Sequence, residues 1–197
     1  MIAIVDVCGG NLRSVQRAIE HVGAEVVVTQ DPAVVERADK LVVPGQGAFA
    51  MFMQGLKDRG LGDVLRAKID AGTPYLGICL GLQVLFEHSE EGDVDGLGVL
   101  KGQVVRFRPV DPTLKVPHMG WNRVAAKQPV AGISDGDHVY FVHSFHVVPE
   151  DRSVIALEAT HGITFTAAVA RDNLFACQFH PEKSQQVGLS VLKAFTA

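Results

Sequence analysis

Residues 75–87 read YLGICLGLQVLFE, and the segment Gly77-Ile78-Cys79-Leu80-Gly81 decides the fold. The apolar run Tyr75 to Ile78 follows Pro74, as a buried strand does, and a helix is expected from Leu80 to about Glu87. Glycines two residues before and two after Cys79 have nucleophile-elbow spacing, because so tight a turn admits only small neighbours. A strand that turns at once into a helix is a building unit of an α/β protein. It sets Cys79 at the carboxyl end of a strand, where open α/β sheets hold ligands, and at a helix N-terminus, whose dipole favours a thiolate. Most free cysteines are buried core residues, so the pentapeptide alone leaves the catalytic and structural readings about evenly weighted.

Strand–helix alternation continues upstream. MIAIVDV (1–7) reads as a buried strand. Asn11 is a good N-cap, and Leu12, Val15, Ile19 and Val22 keep helical spacing until Gly23 stops the run. Glu25 to Thr29 gives a second strand, and Asp31-Pro32 a cap with proline at the first helical position. Lys40 to Val43 is a third strand running into Pro44-Gly45-Gln46-Gly47, and Leu61 to Ala71 reads as helix. Downstream, from about Leu97 to Val169, the runs GVLKGQVVRF, HVYFVHSFHVV, SVIALEA and GITFTAAVA are broken by Gly, Pro and Asp, as in antiparallel hairpins. A last strand, Leu174 to Phe179, precedes a closing helix in Ser184 to Ala197, with Val187, Val191 and Phe195 on its apolar side. The predicted class is α/β: a mostly parallel central sheet flanked by helices, with additional antiparallel strands in the second half. At 197 residues, with no repeat or linker, the expectation is one domain over 1–197.

Composition narrows the function. The chain is 47% hydrophobic and 20% charged with a formal net charge of -4, so it has no basic field for nucleic acid or an anionic membrane. Its N-terminus lacks a basic n-region and long apolar h-region, which places the expected location in the cytoplasm. Three cysteines, Cys8, Cys79 and Cys177, without CxxC spacing argue against a disulfide framework or a thiolate zinc site. His143 and His146, three apart in one expected strand, would face opposite ways, and His118 has no partner at ligand spacing, so no metal or cofactor is expected.

A cysteine nucleophile needs a base, and the base an orienting group. Phe179-His180-Pro181-Glu182 offers both: in an extended segment residues two apart share a side, so the Glu182 carboxylate can fix the His180 tautomer. The glycines of 44–47 let backbone N–H groups of Gln46 and Gly47 turn toward a ligand, and with the N–H of Leu80 they make an oxyanion hole. Each signal alone is weak; three at three strand ends reinforce one another.

PGQG at 44–47, YLGICLGLQVLFE at 75–87 and FHPEKS at 179–184, in this order along essentially the whole chain, resemble the class I, triad-type glutamine amidotransferases, whose fold is flavodoxin-like. The resemblance implies that Cys79 attacks the glutamine side-chain amide, His180 shuttles protons and Glu182 orients His180. It also implies that Gly45, Gln83, Glu91, Ser144 and Phe145 bind glutamine. Asn11-Leu12-Arg13-Ser14, PGQGAF, PHMGWN at 117–122 and YFVHSFH at 140–146 are similar to the histidine-biosynthesis branch, whose members deliver ammonia to a (β/α)₈-barrel cyclase that converts PRFAR to imidazole glycerol phosphate and AICAR. By that resemblance Asn11, Trp121 and Lys183 lie at the interface of a heterodimer; the glycines of the 45–47 loop suit it to a switch whose N–H groups face the intermediate only when the partner's ligand is bound. The alternatives are the glutaminase of another synthase, a non-catalytic regulatory relative, and a cysteine hydrolase of another ester or amide. The chain departs from the family pattern at Val7 and Cys8, where an aromatic and a glycine are common, at Gln46, where some members carry Val, and at Phe145, where Tyr is frequent.

Overall fold

Strands apolar on both faces build the centre of this molecule, seen in a computed structural model that describes residues 1–9 and 12–197. β1 (Ile2–Val5), β2 (Val26–Thr29), β3 (Lys40–Gly45) and β4 (Tyr75–Cys79) belong to the first half, with helices α1 (Leu12–His21), α2 (Pro32–Glu36), α3 (Phe49–Asp58) and α4 (Leu61–Asp70) between them. Alternation along the strands splits the core in two. Ala3, Val5, Leu41 and Val43 face one cluster with Val35, Phe52, Leu56 and Leu65 of α2, α3 and α4. Ile4, Val42, Leu76 and Ile78 face the other with Val15 and Ile19 of α1. Asp31 caps α2 through Ala33 N–H, as its Asp-Pro sequence predicts. The expected N-cap Asn11 lies outside the described residues.

After β4 come α5 (Leu80–Gln83), β5 (His88–Ser89), β6 (Val94–Asp95), β7 (Gly102–Arg106), β8 (His118–Arg123), β9 (Ala125–Ala126), β10 (His138–His143), β11 (Phe145–Pro149), β12 (Ile155–His161), β13 (Ile163–Arg171), β14 (Leu174–Cys177) and α6 (Gln185–Thr196). The main sheet runs β2-β1-β3-β4-β14-β13-β12-β9, parallel from β2 to β14 and antiparallel beyond. Its 2-1-3-4 start is the doubly wound order, and α1 and α6 cover the face opposite α2, α3 and α4. The remaining strands form an antiparallel β10-β8 pair and a β11-β7-β5-β6 sheet. The fold class and the antiparallel second half are as the sequence predicts. Among the described residues, no helix is long and apolar enough to cross a membrane.

Two expectations are corrected, and two elements are added to them. The helix beginning at Leu80 stops at Gln83 because the loop 96–100 claims carbonyls further on: Leu97 N–H bonds to Val84 at 2.7 Å and Leu100 N–H to Leu85 at 2.9 Å. The dipole of so short a helix is correspondingly small. HVYFVHSFHVV is two strands broken at Ser144, whose carbonyl accepts from Phe107 N–H, so β10 and β11 pair in different sheets. The HMGWN segment forms strand β8. Finally, α3 lies in a stretch whose sequence gave no helix signal.

Candidate active site

Cys79 ends β4 with φ 57° and ψ -105°, a strained conformation for a residue with a side chain. The glycine spacing has a steric cause. A Cβ at Gly81 would fall inside the Val43 carbonyl, and one at Gly77 inside the Gly81 carbonyl. Beside Cys79 in the parallel register stands Gly45, where a Cβ would come 2.6 Å from Leu80 Cβ and 2.7 Å from the Phe52 ring.

His180 follows β14, the strand paired to β4, so both residues leave the sheet at the same end. Its Nδ1 lies 2.8 Å from Glu182 Oε1, and both side chains are buried. The link is made by a turn of 3₁₀-helix at Pro181–Lys183 instead of the extended segment predicted. His180 Nε2 is buried with no hydrogen-bond partner. Burial works against charging His180, but the neighbouring Cys79 sulfur and Glu182 carboxylate outweigh it and raise its pKa to about 10. Ser184, a residue the motif reading passed over, stitches the turn down: its Oγ donates to the His180 carbonyl at 2.7 Å and accepts from Tyr140 N–H at 3.0 Å.

A cavity of about 450 Å³ opens over Cys79. Cys79, Leu80, His180, Gln46 and Gly47 line it on the strand-end side, and Gln83, Glu91, Ser144 and Phe145 line it opposite. Lys183 is at its edge, and Gly47 has φ 94°, open to solvent. Gly45 instead borders a neighbouring pocket of about 30 Å³, shared by Pro44, Ile78, Glu182 and again His180. Glu91 Oε2 accepts from Phe49 N–H at 3.0 Å, so this residue also caps α3, which has no side-chain cap of its own. Trp121, 47% exposed, packs edge-on to Tyr140 at 6.1 Å, and Lys183 Nζ stands 5.8 Å from the same ring. Cys8 is exposed and Cys177 buried.

The histidine expectations change. Because the strand breaks at Ser144, His143 and His146 both reach the Phe107 ring, at 5.0 and 4.6 Å. His118 does have a partner: its Nδ1 is 3.0 Å from His143 Nε2. Burial holds His118 down to about 4, helped by His161, and His143 down to about 3. Neutral imidazoles in a phenylalanine cluster are packing and hydrogen-bonding groups here; among the described residues no group of side chains is arranged to hold a metal. Gln178, fully buried, is the other missed residue: its amide touches Cys79 Sγ at 3.5 Å. The one signal for it was a polar residue inside the apolar run FACQF.

The family model for "Glutamine amidotransferase class-I" matches residues 3–196. The imidazole glycerol phosphate synthase subunit HisH of Syntrophotalea carbinolica is 54% identical, covering 99% of this chain and 98% of that protein. The subunit of the same name from Aromatoleum aromaticum is 53% identical over 98% of this chain and 96% of its own length. A crystal structure of a glutamine amidotransferase superposes with TM-score 0.75 over 98% of each chain at 18% identity, a likeness of fold.

Proposed function

The chain belongs to the class-I glutamine amidotransferases, and from that premise we propose that it is the glutaminase subunit of an imidazole glycerol phosphate synthase, hydrolysing glutamine to glutamate and ammonia for histidine biosynthesis. Its full-length similarity to synthase subunits makes it one part of an assembly with a partner subunit. We read residues 1–197 as one amidotransferase unit, in keeping with the span of the family match.

The observation that carries the chemistry is the buried Nε2 of His180, without a partner and facing the cavity over Cys79, while Nδ1 is held by Glu182. A doubly protonated imidazole is favoured there, and the nucleophile we assign beside it is the Cys79 sulfur, which attacks as the thiolate. The thiolate attacks the side-chain amide carbon of glutamine, and the C=O electron pair moves onto oxygen. Leu80 N–H, which as the first of its helix has no intrahelical acceptor, and the N–H groups of the 46–47 loop stabilise that oxyanion. His180 Nε2 then gives its proton to the leaving nitrogen, the C–N bond breaks, and ammonia departs from a glutamyl thioester. Water enters, His180 takes its proton, and the thioester opens to glutamate and thiolate. Glu91 supplies negative charge for the substrate's α-ammonium, and Gln83, Ser144 and Phe145 supply polar contacts to its other end.

The smaller pocket behind His180, bounded by Gly45 and Ile78, is the exit we assign to ammonia. We place a (β/α)₈-barrel cyclase on that side, against Trp121 and Lys183; it converts PRFAR to imidazole glycerol phosphate and AICAR. The test is glutamate release by the purified chain, alone and with cyclase plus its ribulosyl nucleotide. Many-fold stimulation by the loaded cyclase is expected. Equal release in both conditions would overturn the pathway assignment.

A further inference from the structure

Gln178 sits one residue beyond β14, its backbone N–H bonded to the Ala167 carbonyl at 2.8 Å. Its Nε2 lies 3.5 Å from Cys79 Sγ and its Oε1 2.9 Å from Gln83 Nε2. An amide can be turned end for end, so which end meets the sulfur needs an argument.

The neighbours supply it. Gln83 Nε2 is also 3.2 Å from the Phe145 carbonyl oxygen, and a backbone carbonyl only accepts, so Gln83 must present its NH₂ group there. The second hydrogen of that NH₂ points to Gln178, which must answer with Oε1 and so turns Nε2 to the sulfur. The Phe145 carbonyl is itself held from behind. His143 Nδ1 donates to it at 2.8 Å, which leaves His143 Nε2 bare to accept from His118 Nδ1. His118 Nε2 then accepts from Asn122 Nδ2 at 3.2 Å. Every donor and acceptor from Asn122 on β8 to Cys79 is thereby assigned.

We propose that Gln178 is a further working residue of this site, its amide N–H holding the Cys79 sulfur as a thiolate and in position to attack. A thiol accepts hydrogen bonds weakly and a thiolate strongly, so a buried N–H with no other acceptor favours the charged form. Gln178 thus meets the sulfur from the sheet, while His180 lines the cavity on the other side. The Asn122–His118–His143 chain acts through Phe145 and Gln83 as a set of positioning residues that keep the amide from turning over. The inference rests on reading Cys79 as the nucleophile.

The test follows the thiol and not the turnover. In a Cys8→Ser chain, which removes the exposed thiol, iodoacetamide alkylation of Cys79 is measured by peptide mass spectrometry from about pH 5 to about pH 9. Gln178→Glu is close in shape but puts a carboxylate oxygen against the sulfur. Its alkylation at neutral pH should fall about tenfold, with the whole profile moved to higher pH. Gln178→Met, which removes the N–H without adding charge, should move the same way by less. In the unsubstituted protein, the side-chain amide resonance of Gln178 should shift as Cys79 ionises and stay flat in Cys79→Ala, a readout that needs no variant at 178. Parent-like alkylation in both variants, or an amide resonance indifferent to Cys79, would overturn the proposal. Glutamine hydrolysis is scored separately: a parent that alkylates at Cys79 yet hydrolyses no glutamine counts against the glutaminase reading, whereas the comparison across residue 178 decides this one.

Discussion

A side chain at Gly81 would occupy the space of the Val43 carbonyl oxygen. Val43 lies in the middle of β3, paired to β4 on one side and near β1 on the other, so it cannot step back. Gly81→Ala should therefore destabilise by about 3 kcal/mol or prevent folding, the upper range for overpacking. Gly62→Ala in α4 is the control, since its new Cβ would meet only Leu97 at 3.5 Å. It should be neutral or stabilise by about 0.5 kcal/mol through helix propensity. Chemical denaturation of both variants checks the contrast.

That contrast shows which parts of the molecule were legible in the sequence. The elbow and the His180-Glu182 pair are local patterns, fixed by sterics and by a two-residue turn, and they survive translation into structure. The α3 helix does not announce itself because Ala48 offers no side-chain cap and the capping carboxylate, Glu91, comes from 42 residues away. The end of α5 is likewise set by the loop at 96–100. The contacts of Gln178 and of the His118–His143 pair were not legible for the same reason, since Gln178 meets Cys79 and Gln83 across 99 and 95 residues of chain. Splitting 138–148 at Ser144 needed the partner strands β7 and β8, which periodicity within the run does not reveal.

Substitution at Glu91 separates its cap on α3 from the substrate contact proposed for it. Gln at this position keeps an oxygen for Phe49 N–H but removes the charge, whereas Ala removes both. Glu91→Gln should change stability by less than about 0.5 kcal/mol, and Glu91→Ala should cost about 1 kcal/mol, the worth of a helix cap. Both should raise the KM for glutamine about tenfold or more if the carboxylate meets the α-ammonium, as expected for loss of a charge-assisted bond. Denaturation curves and steady-state kinetics on the same two proteins read the two roles.

Stability should be bell-shaped in pH, with different histidines on each limb. His180 has its pKa raised from 6.5 to about 10, so its stabilisation is full below 6.5 and lost as pH rises through 10. His118 and His143 are held near 4 and 3, so below 6.5 the unfolded chain takes up protons that the folded one refuses, and stability is lost as pH falls toward those values. For His143 the loss by pH 4 is on the order of 3 kcal/mol. Glu182→Gln should flatten the alkaline limb and His143→Gln the acid limb. Denaturant unfolding across pH checks this, and parallel curves for all three proteins would refute the assignment.

Cys79→Ala tests whether the nucleophile serves only glutamine. The assembled synthase carrying this variant should lose glutamine-dependent turnover entirely and keep turnover with added ammonium, because ammonia bypasses the thioester. Loss of both would point to a role for Cys79 in folding or docking.

Trp121 offers the cleanest probe of the proposed partner contact. It stands on β8 beside exposed Met119, about half in solvent, with its other half on the Tyr140 ring that Lys183 also approaches. Truncation to Ala removes little from the core, so the isolated chain should lose no more than about 1 kcal/mol. An exposed tryptophan that becomes fully desolvated on docking is worth about 2 kcal/mol or more, a loss of at least about thirtyfold in affinity for the proposed cyclase partner. The same strand pair also bears on catalysis. Tyr140 accepts from His180 N–H at 2.9 Å through its carbonyl, and its own N–H is taken by Ser184. A partner that packs on Trp121 and Tyr140 thus presses on the peptide that positions the base, so Trp121→Ala should also lower glutamine turnover when the partner is saturating. Titration calorimetry and turnover at saturation separate the two effects: weaker binding with full turnover would confine Trp121 to docking, and unchanged binding would remove it from the interface.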